Sequence, residues 1–337
     1  MSNIQKIFFI IVCIAVTSNT SHSQENPDDF GYEDKIRIRE AYNIFNNYGN
    51  QIWKNWDTAP FALLLVTNEF EYLINHTNPS GDFQLVGYDS IIETNIYSRP
   101  RQFNKNFQAT FPAVNGVSTI VIGTPVNTGR SGMDWINTVL HEHFHQLQSS
   151  RSDYYSAVDS LDLSGGDNTG MWMLNYKFPY DDSLTVERFN AVIKSAKKTF
   201  MSIDKSDFEK NLKNYLTKRK HFKSILNDKD YKYFSFQIWQ EGIARYTEIK
   251  IAGMLKDSYS PGKEFKESED YTPPDLFYTN ILNRLLLKAD SLKLSSDRRN
   301  SFYTLGALEG LILDRVNPDW KDLYFAKKFF VEEYYEN

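Results

Sequence analysis

Three histidines and a glutamate lie within a five-residue stretch of the chain, in the order His141-Glu142-His143-Phe144-His145. In this H-E-x-x-H pattern His141 and His145 would lie one turn apart on the same face of a helix, so that both imidazoles could bind one metal ion. Glu142 would be placed to take a proton from a water molecule held by that ion. These residue types at this spacing predict metal-assisted hydrolysis of an amide bond. A chance match to a short pattern is the alternative.

The elements around this motif are predicted from periodicity. Apolar residues at helical spacing from Trp135 to Leu147 predict a helix that runs to about Ser150. A strand over 118–122 and a loop over 125–132 precede it. The motif resembles that of the zincin metallopeptidases, in which a strand placed like this is the sheet edge that holds an extended peptide above the ion. A core strand inside the sheet is the alternative.

Two histidines are insufficient, because a catalytic zinc ion takes three protein ligands and keeps an open position for water. Gln148 and Arg151 stand where the longer H-E-x-x-H-x-x-G-x-x-H pattern has its glycine and its third histidine, which excludes the metzincin pattern. Ser164 and Gly165 lie at about the 20-residue distance at which thermolysin has its ligand glutamate. The third ligand must therefore come from elsewhere in the chain.

Two later segments supply a more specific resemblance. The helical run Trp239-Gln240-Glu241-Gly242-Ile243-Ala244-Arg245-Tyr246-Thr247-Glu248 reads W-x-x-E-G-x-A-x-Y-x-E, and its glycine would let another backbone approach closely. It resembles the helix that carries the glutamate ligand of the zinc ion in the catalytic domain of the aminopeptidase N family. The members of this family are gluzincin zinc metallopeptidases. The segment Tyr303-Thr304-Leu305-Gly306-Ala307 is similar to the Tyr-x-Lys-Gly-Ala segment of the same family. The resemblance covers roughly residues 105–320.

Carried over position by position, the resemblance implies one Zn²⁺ ion per chain. The implied ligands are His141, His145 and Glu241, with Glu142 as the general base that activates the attacking water. The implied role of Tyr303 is to donate a hydrogen bond to the substrate carbonyl oxygen as negative charge builds on it.

The sequence departs from the family at a position that matters for specificity. The family's Gly-Ala-Met-Glu-Asn segment would fall at 111–115, where Val114 replaces the glutamate that binds the free amine of the substrate. An apolar side chain cannot balance an ammonium group removed from water. Glu248 lies on the same helix face as Glu241 and could orient a zinc ligand by a hydrogen bond, with a surface salt bridge as the alternative.

The sequence therefore predicts a zinc metallopeptidase that acts on a peptide or protein substrate, without support for aminopeptidase specificity. Two alternatives stay open. One is a non-catalytic protein on a zincin fold that binds peptide or metal, and the other is a zinc hydrolase of non-peptide substrates.

The predicted elements indicate an α+β fold of thermolysin-like zincin architecture. A mixed α/β subdomain over 32–182 would place a sheet edge over the metal helix, and a mainly helical subdomain over 183–337 would carry the third ligand. Strands are predicted at 61–66, 70–73 and 83–86. Helices are predicted at 32–56, 183–203, 206–226, 228–255, 273–293, 296–315 and 320–335.

Residues 1–23 predict a secretory signal sequence, with Lys6 followed by an apolar run over 7–16. Residues 24–31 are predicted to be a flexible lead-in. The single cysteine, Cys13, lies within the apolar run and follows a valine rather than a small residue, which argues against a lipid anchor there. A secreted or periplasmic protein is expected.

The overall composition argues against two classes of binding partner, nucleic acids and membranes. The net charge of −5 and a pI of about 5.8 argue against a nucleic-acid or anionic-membrane surface. The apolar run over 7–16 is too short to cross a bilayer, so stable membrane insertion is not expected. A hydrophobic content of 41% with 24% charged residues is typical of globular proteins.

Overall fold

The computed structural model of the chain describes residues 30–335. The predicted signal sequence over 1–23, including Cys13, lies outside the described residues, as do residues 24–29 of the predicted lead-in. Within residues 30–335, no helix has the combination of length and apolarity that a membrane span requires.

A six-stranded mixed sheet lies in the first half of the chain, with the strand order β3-β4-β2-β1-β6-β5. Among the described strands, β1 and β6 pair in parallel and the other neighbours pair antiparallel. The strands are β1 (Leu63–Val66), β2 (Phe70–Ile74), β3 (Gln84–Asp89), β4 (Thr94–Pro100), β5 (Gln108–Val114) and β6 (Val117–Gly123). The predicted strands at 61–66, 70–73 and 83–86 correspond to β1, β2 and β3. Strands β4 and β5 were not predicted, because each contains a proline and because their polar residues interrupt the alternation of apolar and polar side chains that is typical of a strand.

The sequence left two positions open for the strand over 118–122, the sheet edge and the core, and the structure shows the core position. This strand is β6, which pairs with β1 on one side and with β5 on the other. Ile120, Val121 and Ile122 are fully buried, as the core-strand alternative requires. The edge is β5, which pairs only with β6 among the described residues. A sheet edge over the motif helix is therefore present, but the preceding strand forms it.

Helices make up most of the remaining chain. They are α1 (Tyr32–Ile52), α2 (Pro125–Thr128), α3 (Gly132–Ser149), α4 (Tyr154–Asp159), α5 (Trp172–Asn175), α6 (Ser183–Phe200), α7 (Phe208–Ile225), α8 (Asp228–Gln237), α9 (Ile243–Ser258), α10 (Lys263–Lys266), α11 (Pro274–Ser291), α12 (Leu294–Asp297), α13 (Asn300–Val316) and α14 (Trp320–Tyr324). A π-helical segment, Ile238–Gly242, joins α8 to α9, and 3₁₀ turns lie at Trp56–Thr58 and Val331–Tyr335. The helix predicted over 320–335 is therefore wrong beyond Tyr324.

The architecture is α+β, as predicted, and the sheet separates two hydrophobic cores. Successive residues of β1 point to opposite faces, so Leu63 and Leu65 join the large core shared with the helices while Leu64 and Val66 join a smaller core on the other face. Helix α3 packs between the sheet and the helices of the second half, with contacts to β5, β6 and α9. A residue on α3 can therefore meet side chains from both halves of the chain.

Candidate metal centre

Helix α3 carries the H-E-x-x-H motif in a buried setting. His141 and Glu142 are each only 6% exposed, although both are polar. Buried polar groups must find partners, because an unpaired one costs free energy that packing does not recover. The partners of these side chains come from β5, from α9 and from the π-helical segment.

The side chains of His141, His145 and Glu241 converge on one point. The two Nε2 atoms lie 3.2 Å apart. Glu241 Oε2 lies 3.7 Å from His141 Nε2 and 3.4 Å from His145 Nε2. In the described part of the chain, this is the group of ligand-type side chains whose donor atoms lie close enough together to share an ion. The group could hold a metal ion.

Hydrogen bonds on the far side of each imidazole determine which nitrogen faces the point of convergence. Glu248 Oε1 lies 2.6 Å from His141 Nδ1. Gln148 Oε1 lies 2.6 Å from His145 Nδ1, closer than the Gln240 amide nitrogen at 3.1 Å. Because these oxygens accept hydrogen bonds, both Nδ1 atoms would carry the proton and both Nε2 atoms would present a lone pair.

Three electron-rich atoms therefore face one another, and they need a shared cation. Although burial lowers it, the Glu241 and Glu248 carboxylates raise the pKa of His141 to about 9. Burial raises the pKa of the Glu241 carboxyl, but the two imidazoles outweigh it and hold that pKa well below its usual value. A site that attracts protons this strongly fits a divalent cation, which replaces them when it binds.

Glu248, which contacts His141, is itself held in place by a second contact. The other oxygen of Glu248 accepts a hydrogen bond from Arg245 at 2.6 Å, and the Glu248 side chain is only 8% exposed. The sequence left two roles open for Glu248, an orienting residue or a surface salt bridge, and it makes both contacts from a buried position. Arg245 pairs with this acid.

In the sequence Gln148 stands out only because it replaces the glycine of the longer H-E-x-x-H-x-x-G-x-x-H pattern, but its contacts give it a role of its own. Its amide nitrogen donates to the carbonyl oxygen of Gln240 at 3.0 Å and lies 2.7 Å from the Tyr324 hydroxyl. Gln148 therefore ties His145 to the backbone beside Glu241. Its position three residues after His145, on the same helix face, is the sequence signal that could have identified it.

Glu241 is presented by an unusual backbone. It lies in the π-helical segment Ile238–Gly242 between α8 and α9. An inserted residue of this kind widens a helix locally and is often found at functional sites. Here it turns Glu241 towards α3, while the neighbouring Trp239 stays fully buried.

Glu142 points from α3 towards the sheet edge. The Thr110 hydroxyl on β5 lies 2.9 Å from a carboxylate oxygen of Glu142 and 2.9 Å from its backbone carbonyl oxygen. The hydroxyl has one proton, so it donates to one of these acceptors at a time. The edge strand thus fixes the position of Glu142 relative to the group formed by His141, His145 and Glu241. Sequence reasoning missed Thr110, because no sequence pattern indicates that a strand residue contacts a helix residue 32 positions later in the chain.

Tyr303 on α13 also reaches the site. Burial and the nearby Glu241 carboxylate raise the pKa of its hydroxyl well above the usual value. Arg299 Nη1 donates to that hydroxyl at 2.5 Å and lies 3.8 Å from Glu241 Oε1. The structure therefore brings together all six sequence-predicted site residues, which are His141, Glu142, His145, Glu241, Glu248 and Tyr303.

His143 belongs to the motif but takes no part in the group. Its ring stacks on Phe61 with the centroids 3.9 Å apart and the planes 6° from parallel, and Nδ1 pairs with Gln146 at 2.7 Å. Burial lowers the pKa of His143 to about 3, so it packs as a neutral aromatic ring. It secures α3 against the core.

No protein-family model, curated protein or solved structure matches this chain. The chemistry of the site is therefore inferred from its own geometry and from its motifs.

Proposed function

We propose that this protein is a zinc-dependent metallopeptidase of the gluzincin type, with a thermolysin-like arrangement of its site and a likeness to the catalytic domain of the aminopeptidase N family. The observation that carries the proposal is the convergence of Glu241 Oε2 with the Nε2 atoms of His141 and His145, at 3.7 and 3.4 Å. Two imidazoles and one carboxylate form the ligand set of a catalytic zinc ion with an open position.

The spacing of the donor atoms favours zinc among divalent metals. A tetrahedral ion with ligand distances of about 2.0–2.1 Å separates neighbouring ligand atoms by about 3.3 Å. The separations of 3.2 Å between the two Nε2 atoms and of 3.4 Å between His145 and Glu241 lie close to that value, and the 3.7 Å between His141 and Glu241 is wider. The mixture of imidazole nitrogen and carboxylate oxygen suits zinc better than magnesium or calcium, which prefer oxygen ligands.

The chain's own residues supply the remaining chemistry. When bound, zinc acts as a Lewis acid that polarises the attacking water and the scissile carbonyl. Glu142, held by Thr110, removes a proton from the water and later passes it to the leaving amine. Tyr303 donates a hydrogen bond to the carbonyl oxygen as negative charge develops there.

Within residues 30–335 no strand pairs with the outer side of β5, and this edge supports a peptide as the substrate. An extended chain can add to an open sheet edge through main-chain hydrogen bonds, without requiring a particular sequence. Thr110 lies on this strand and contacts Glu142, so a peptide paired with β5 would pass beside the general base. This contact between edge strand and base favours peptide hydrolysis over the two alternatives.

Cleavage within peptides is a better fit than removal of amino-terminal residues. Val114, at the position of the family's amine-binding glutamate, is 2% exposed and belongs to the smaller core of the sheet. Its side chain therefore offers no charge to a substrate ammonium group. We also propose export of the protein, on the basis of the signal sequence predicted over residues 1–23.

The test uses the purified full chain. We expect one zinc per chain by elemental analysis, and cleavage of a mixed peptide pool that stops with a chelator and returns with added zinc. Glu142→Gln should keep the zinc and lose at least about 10²-fold in kcat, because the amide cannot accept the proton. Zinc binding without cleavage by the wild type would indicate a binding protein, and cleavage unaffected by Glu142→Gln would refute the mechanism. Mass spectrometry of the products distinguishes internal from terminal cuts.

A further inference from the structure

Arg299 lies beside the site, and the proposed mechanism gives it no role. It immediately precedes α13, one helical turn before Tyr303. Its Nη1 atom donates to the Tyr303 hydroxyl at 2.5 Å and lies 3.8 Å from Glu241 Oε1. The side chain is 28% exposed, so it is mostly enclosed.

We propose that Arg299 is a positioning residue that directs the Tyr303 hydroxyl towards the substrate carbonyl. This inference rests on the proposed function. It assigns to Arg299 a role that acts through Tyr303 and is distinct from metal binding.

The hydrogen bond from Arg299 orients the hydroxyl group of Tyr303. A guanidinium group has donors and no acceptor, so its contact with Tyr303 must use a lone pair of the hydroxyl oxygen. The hydroxyl proton of Tyr303 then points away from Arg299 and is available to another acceptor. In the structure that acceptor is Glu241, and Arg299, 3.8 Å from Glu241 Oε1, offsets part of its charge. Without Arg299 the carboxylate would hold the hydroxyl proton more strongly. The hydroxyl would then be less available to the substrate carbonyl.

Charge supports the same role. Arginine stays protonated in proteins, so Arg299 keeps a positive charge beside the Tyr303 oxygen at every working pH. A donor that is itself hydrogen-bonded to a cation is polarised and donates more strongly. As negative charge builds on the carbonyl oxygen, Tyr303 backed by Arg299 would stabilise it more than tyrosine alone.

The neighbouring arginine provides a matched control. Arg298 lies 3.8 Å from Asp181, its side chain is 59% exposed, and its guanidinium packs over the Tyr180 ring. Removing it takes the same charge from the adjacent position without touching the Tyr303 contact. An effect of general electrostatics would appear in both variants, whereas positioning of Tyr303 would appear only at Arg299.

The experiment is a double-mutant cycle on the zinc-loaded full chain, with kcat, KM and zinc content measured for each variant. Arg299→Ala should lower kcat about 10- to 100-fold with KM changed less than about 3-fold, because the interaction acts in the transition state. In a Tyr303→Phe background the same change should cost less than about 3-fold, since the hydroxyl it positions is gone. Arg299→Lys should recover part of the loss, and Arg298→Ala should stay within about 2-fold of the wild type.

A binding measurement gives a second readout. A phosphinic analogue of the best-cleaved peptide carries a tetrahedral group that mimics the transition state, and calorimetry measures its affinity. We expect Arg299→Ala to weaken this binding about as much as it lowers kcat, with the zinc content unchanged.

Three results would overturn the inference. They are an undiminished kcat in Arg299→Ala, a loss of equal size in the Tyr303→Phe background, and a loss of zinc from Arg299→Ala alone. Each of these leaves the proposed function intact if the wild type cleaves peptides in a chelator-sensitive way. A wild type without such cleavage would refute the proposed function and the inference together.

Discussion

Gly242 and Gly306 lie backbone to backbone where two helices cross. A Cβ atom added to Gly242 would lie 2.6 Å from the Gly306 Cα, and one added to Gly306 would lie 2.5 Å from the Gly242 Cα. Gly242 follows Glu241, the third residue of the proposed metal site, and Gly306 lies three residues after Tyr303. The two motifs that resembled the aminopeptidase N family are therefore in direct contact, and this crossing places Glu241 near Tyr303.

The first prediction concerns this crossing. Gly242→Ala should reduce the free energy of unfolding by about 1–3 kcal/mol or more, because backbone atoms cannot move aside as a flexible side chain can. We also expect weaker zinc binding, since the helices must separate next to Glu241. Urea denaturation and chelator competition measure the two effects. Gly253→Ala is the control.

Gly253 lies in the interior of α9, and an added Cβ there would meet the Tyr278 ring at 3.4 Å, an ordinary contact. Alanine favours a helix over glycine by up to about 1 kcal/mol, so Gly253→Ala should be neutral or stabilising. Equal stabilities for the two alanine variants would show that the close crossing does not hold the helices together.

The second prediction concerns the partner of His141. Glu248→Ala should lower zinc affinity about 10- to 100-fold, because Nδ1 of His141 loses the acceptor that orients its ring. Glu248→Gln keeps an oxygen acceptor without the charge and should lose less. Competition with a chromogenic chelator gives the affinities. Unchanged zinc affinity in Glu248→Ala would show that Glu248 does not orient His141 and only forms a salt bridge with Arg245.

The third prediction concerns the contact between the edge strand and Glu142, the proposed general base. Thr110→Val keeps the shape of the side chain but removes the hydroxyl that contacts Glu142. We expect kcat to fall about 10- to 150-fold with the zinc content unchanged, since a hydrogen bond to a charged group contributes about 1.5–3 kcal/mol when its geometry is good. Thr110→Ser should restore most of the activity. Loss of zinc in Thr110→Val would instead point to a wider distortion of α3.

The fourth prediction concerns pH and Lys321, a partly buried lysine away from the site. Lys321 Nζ lies 5.3 Å from the ring centroids of both Trp53 and Tyr246. Burial lowers its pKa from the usual 10.5 to about 8. Between these values the folded protein binds fewer protons than the unfolded chain, so the contribution of Lys321 to stability rises with pH across this range.

Below pH 8 the folded protein bears the full cost of burying the charged ammonium. Lys321→Met removes that cost and should raise the free energy of unfolding at pH 7 by on the order of 1 kcal/mol. The advantage should shrink as the pH approaches 10. Urea denaturation of both proteins at pH 7 and pH 10 measures this difference. An advantage that is equal at the two pH values would contradict the depressed pKa.

Local sequence was sufficient for the parts of the site that depend on helix geometry. The four-residue spacing of His141 and His145 and the apolar stripe of α3 require only the period of a helix, and both appear as predicted. The α+β class followed in the same way from runs of strand and helix periodicity. The glutamate at position 241 was reached through a resemblance between motifs, because nothing in the spacing alone connects it to α3.

Tertiary structure decided what depends on contacts between distant segments. Which strand forms the sheet edge is a matter of pairing, and the apolar run over 118–122 reads the same in a core strand as at an edge. The approach of Glu241 to the two histidines depends on the crossing at Gly242 and Gly306, which is a property of packed helices. Sequence alone determined which side chains could bind a metal ion, and only the packing of the two halves around α3 determined that they meet.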